Sequence, residues 1–112
     1  MLTEKTYKAV AKLLESMMVK AEIVLDEKVV PISILRTEIS KDGRQLKVYT
    51  RASSGDGQAT NLRILDSEGD IVLERPKLIQ MHPNYGLIST FWIEIGEREV
   101  QNPISIFEQG GN

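Results

Sequence analysis

At 112 residues the chain has the length of one domain and can bury a core of its own without disulfide or metal staples. Charged residues make up 27% of it and nearly cancel, to a net charge of -2, which leaves no basic field for a nucleic-acid backbone. The absence of cysteine excludes disulfide frameworks, thiolate zinc sites and cysteine nucleophiles.

The chain opens with "MLTEKTYKAV", which has neither the basic head nor the unbroken apolar run of a secretion signal. No later stretch approaches the ~20 apolar residues of a membrane span. These features lead us to expect a soluble, cytoplasmic product with no membrane partner.

A helix is expected over about residues 3–19. Thr3 can cap the first turn, Leu2 and Tyr7 have the spacing of a hydrophobic staple, and Glu4 sits where the helix dipole favours an anion. Tyr7, Val10, Ala11, Leu14, Met17, Met18 and Ala21 recur with the period of one buried stripe. Leu13 and Val19 widen that stripe, so the helix should lie against a sheet or a neighbouring subunit.

From Lys20 the period changes from 3.6 to 2. Strands are expected over 21–26, 29–40, 44–51, 59–66, 70–75 and 86–97, separated by turn-forming clusters such as Lys41-Asp42-Gly43 and Ser67-Glu68-Gly69. Pro31 cannot donate to a ladder, so the second strand should be split there or run along an edge. The fold class expected is α+β, mostly β: an amphipathic helix followed by a small antiparallel sandwich or curled sheet of about six strands. We expect residues 1–103 to form a single domain and 104–112 a last edge strand or an arm with a frayed end.

Three stretches invite a chemical reading. Asp66, Glu68 and Asp70 crowd around Gly69, but counting an EF-hand loop from Asp66 puts Ile71 at the glycine position and Lys77 at the bidentate glutamate position. The expectation is a hairpin turn, with Leu62 and Ile64 facing Ile71 and Leu73 in the core. Gly55-Asp56-Gly57 lacks the lysine, hydroxyl and following helix of a phosphate loop, and reads as a rim loop. His82, the single histidine, precedes Pro83 and reads as a solvated turn residue. No serine stands in a nucleophile elbow. We therefore expect no catalytic residue, no cofactor and no metal site.

"GLISTFWIEIGE" carries more information. One face holds Leu87, Ser89, Phe91, Ile93 and Ile95, and the other Ile88, Thr90, Trp92 and Glu94. A strand apolar on both sides is either central, with sheet below and the helix above, or it presents a patch that another molecule covers. Trp92, the single tryptophan, is the foremost candidate for an interface anchor, with Ile88 beside it. "ISIF" near the C-terminus adds Ile104, Ile106 and Phe107, as an edge strand or as an arm for a neighbour's sheet.

The stretch from Ala59 to Glu97 resembles small structural proteins of tailed phages and prophages, associated with tail, baseplate or fibre. The shared order is a strand ending in Leu65-Asp66, the turn Ser67 to Gly69, a second strand Ile71 to Glu74, a link with Lys77, and the strand Gly86 to Glu97. The resemblance implies a non-enzymatic assembly role in a multimer, located in the cytoplasm or the virion. The expected partners are copies of the chain itself or other structural proteins. A second reading is a small carbohydrate- or calcium-dependent binding module using loops 53–57 and 66–70.

Overall fold

The computed structural model describes residues 1–53 and 55–98. Helix α1 (Glu4–Met17) precedes six strands, β1 (Lys20–Leu25), β2 (Lys28–Ile39), β3 (Gln45–Ala52), β4 (Gly57–Leu65), β5 (Ile71–Met81) and β6 (Leu87–Glu94). The α+β, mostly-β architecture expected from the sequence is the one that forms. Among the described residues no helix is long and apolar enough to cross a membrane.

Neighbouring strands are all antiparallel, in the order β5-β4-β1-β2-β3-β6. The first three strands make a meander, and β4 returns to lie beside β1, which is Greek-key connectivity. The sheet then curls until its two outer strands approach each other, giving a nearly closed barrel. Across the remaining seam, Arg75 Nη2 on β5 donates to the Thr90 carbonyl on β6 at 2.9 Å.

The long strand β2 makes the curl. Residues 28–32 pair with β1 and residues 33–39 pair with β3, with a register shift between Ile34 and Arg36. A strand that changes partners at a bulge turns a corner. This arrangement also accommodates Pro31. The strand is neither split nor at the edge of the sheet as expected, but among the described residues the half that holds Pro31 pairs with β1 alone, and such a locally one-sided stretch tolerates a residue without an N–H.

Inward-facing Ile23, Leu46, Val48, Leu62, Ile64 and Phe91 fill the interior. Each such side chain contributes about 1.5–3 kcal/mol by leaving water. Helix α1 packs against β2 and β3. Its N-cap is the expected Thr3, whose side chain accepts from the Thr6 N–H. It buries Tyr7 and Ala11, brings Leu14 to the core, and is tied to β2 by a hydrogen bond from Thr37 to Glu15. Val10, Leu13, Met17 and Val19 stay exposed, so the buried stripe is narrower than the sequence period indicates.

Two further expectations are corrected, and one alternative is decided. β5 does not stop at Arg75 but continues through Pro76 to Met81, because an edge strand tolerates proline and a register shift between Ala59 and Asn61 absorbs it. In the β4–β5 hairpin Ile64 faces Leu73 as expected, but Leu62 faces Arg75, and Ile71 lies opposite Leu65 and is exposed. Of the two readings of β6, the central one fails: among the described residues it pairs with β3 alone, and Trp92 and Ile88 on its outer face are exposed.

Candidate functional site

The outer face of β6 and β3 carries the exposed Trp92 and Ile88 together with the half-buried Tyr49. Their register sets Lys47 opposite Trp92, Tyr49 opposite Thr90 and Arg51 opposite Ile88. Phe91 and Ile93 turn into the barrel, so strand alternation obliges Trp92 and Ile88 to point out, where they are 62% and 65% exposed. The Lys47 ammonium stands 4.7 Å from the Trp92 ring centre, and the Arg36 guanidinium 4.2 Å from the Tyr49 ring centre. Glu38 accepts from the Tyr49 hydroxyl at 3.1 Å and pairs with Arg36 at 3.3 Å. These contacts hold the rings in fixed orientations, which lowers the entropy lost when a partner packs on them. An open cavity of about 320 Å³, lined by Glu38, Ile39, Ser40, Gln45 and Lys47, continues from this face.

The carboxylates of Asp66, Glu68 and Asp70 do converge, with one oxygen of each within 4.8 Å of the others. Local backbone geometry accounts for the arrangement. Asp66 Oδ1 accepts from the N–H groups of Glu68 and Asp70, both at 2.9 Å, and Gly69 takes a φ of 88°. That is the hairpin turn expected from the sequence.

The other candidate loops lie elsewhere. Loop 53–57 runs into the start of β4 at Gly57 and residues 66–70 follow its end, so the two loops lie at opposite ends of a strand about 30 Å long, too far apart to bind one ion between them. Gly57 lies against the Asp26 carboxylate, which would repel a phosphate. His82 Nδ1 accepts from the Asn84 N–H, and its ring lies 4.6 Å from the Tyr85 ring, inside a turn.

One cluster was not legible in the sequence. Glu97 accepts from the Leu2 N–H and from the Tyr7 hydroxyl at 3.1 Å, while the Arg44 guanidinium lies 4.5 Å from the Tyr7 ring centre. The Leu2 N–H and then the Tyr7 hydroxyl hold the Glu97 carboxyl below its ordinary value. Burial, followed by the bond to Glu97, raises the Tyr7 hydroxyl. Both shifts move away from neutrality, whereas proton transfer wants groups tuned toward it. The cluster works as a clasp between the start of α1 and the chain leaving β6. Its members are 90 residues apart, and no sequence spacing encodes such a pair.

Of the interface candidates, Trp92 and Ile88 share this one exposed face. Ile104, Ile106 and Phe107 lie outside the described residues. No family model, curated protein or solved structure matches the chain.

Proposed function

We propose that this protein is a non-enzymatic assembly or adaptor module that associates with copies of itself through the outer face of β6 and β3. The observation that carries this reading is the exposure of Trp92 and Ile88 together on one edge strand, with Trp92 held by Lys47. Aromatic anchors ringed by polar groups are what interface centres use. The contact is made mainly by side chains. On β6 the Thr90 carbonyl is already taken by Arg75, and on β5 Pro76 has no N–H to offer, so both edges are poor templates for backbone pairing. A role of this kind fits the tail, baseplate or fibre assemblies of phages and prophages, to whose components the chain bears its resemblance.

The single tryptophan is its own reporter. Raising the concentration from micromolar to millimolar should shift Trp92 emission to the blue as the ring leaves water. Unchanged emission across that range contradicts the reading.

A further inference from the structure

The outer face of β2, β3 and β6 carries its charges in rows, because the antiparallel registers align residues across the three strands. One row holds Arg51 and Ile88, and the next Arg36, Tyr49 and Thr90. The third holds Glu38, Lys47 and Trp92, and the last Gln45 and Glu94. Arg36, Glu38, Arg51 and Glu94 are all exposed. The face is therefore basic at its Arg51 end, acidic at its Glu94 end, and changes sign on β2 between Arg36 and Glu38.

Two copies that meet through one face are related by a twofold axis, so each residue's counterpart is set by where the axis passes. An axis running along β3 stacks Lys47 on Lys47 and Arg51 on Arg51. An axis across the strands turns one sheet antiparallel to the other. Through the Arg36 row it lays Arg36 on Arg36 and Arg51 on Lys47, and through the Glu38 row it lays Glu38 on Glu38 and Lys47 on Lys47. Midway between these rows it lays Arg36 of each copy on Glu38 of the other, and brings Arg51 within one strand of Glu94. Apposed like charges are costly at an interface, so this last register is the complementary one.

We propose that the self-association face closes as an antiparallel twofold dimer in this register, with Trp92 of each copy seated on Thr90 of the other, between its Ile88 and Trp92. Each Arg36 keeps its own Glu38 at 3.3 Å and gains a second across the axis. The two sheets pack aligned, within about 30° of antiparallel. The dimer rests on the self-association reading above and adds to it a stoichiometry and an orientation.

Arg51 and Glu94 provide the test, since the ion pairs formed among the described residues use neither. Arg51→Glu and Glu94→Arg should each weaken dimerisation about tenfold, because the axis repeats the contact, and together they should restore the parent dissociation constant to within about threefold. Sedimentation equilibrium gives the constants. A double variant as weak as either single, or singles that associate as well as the parent, overturns the register and leaves the face in place. A parent chain that never associates overturns both.

The cysteine-free chain allows a second measurement. The register puts Ile88 of one copy over Glu94 of the other, about 10 Å away across packed sheets, while like residues stand about 20 Å apart along the strands. A bismaleimide of about 10 Å reach should therefore join an Ile88→Cys chain to a Glu94→Cys chain, and neither variant to itself. Cross-linking of either variant with itself at the rate of the mixed pair overturns the proposal.

Discussion

The Arg75 guanidinium lies 4.5 Å from the centre of the Phe91 ring while donating to the carbonyl of the adjacent Thr90. One side chain from β5 thus covers a core aromatic of β6 and occupies a carbonyl on its free edge. Arg75→Ala should cost about 1–3 kcal/mol, the sum of a lost cation–π contact and a charge-assisted hydrogen bond. Urea denaturation measures this, and faster amide exchange over Leu87–Glu94 should accompany it. Arg75→Lys keeps the charge but not the planar fork, and should recover less than half of the loss.

Gly57 and Gly69 both have positive φ, at 123° and 88°, yet they differ in surroundings. A Cβ at Gly69 meets nothing within 4 Å, so Gly69→Ala should cost only the left-handed strain of about 1–2 kcal/mol. A Cβ at Gly57 runs into the Asp26 carboxylate, which accepts from the Gln58 N–H at 2.9 Å. Gly57→Ala should therefore be the more damaging substitution, and thermal denaturation of the two variants gives the order.

The clasp at Glu97 should be sensitive to acid. Its carboxyl is held below the ordinary glutamate value of 4.5 in the folded chain, so its contribution is present above that value and is lost as pH falls through the folded one. Tyr7 acts in the opposite direction at the alkaline end. Its hydroxyl is raised above 10.0, so its contribution is complete below that value and disappears as pH climbs through the folded one. Glu97→Gln should accordingly lower the melting temperature at neutral pH and make little difference in strong acid. The pH dependence of melting for the two proteins checks both arms.

Local chemistry made much of the fold legible. Thr3 capped the helix as its side chain required, and the alternation from Lys20 onward fixed the number and type of strands. Asp66 to Asp70 formed the turn that its residue types favour. What escaped depended on pairing across long separations. Pro76 looks like a strand terminator until β5 is known to be an edge, and Arg75 looks solvent-facing until the curl brings β6 over it. Trp92 and Phe91 are both aromatic, and the sequence does not say which of the two faces the helix and core cover. The Glu97–Tyr7 clasp was hidden for the same reason, its partners lying at opposite ends of the chain.

The most direct test of the self-association face is light scattering on size-exclusion fractions over a range of loading concentrations. The parent chain should show a mass above 12.6 kDa that rises with concentration, and Trp92→Asp combined with Ile88→Asp should return it to 12.6 kDa without unfolding it. A parent mass of 12.6 kDa at every concentration, or a doubly substituted chain that still associates, would contradict the account.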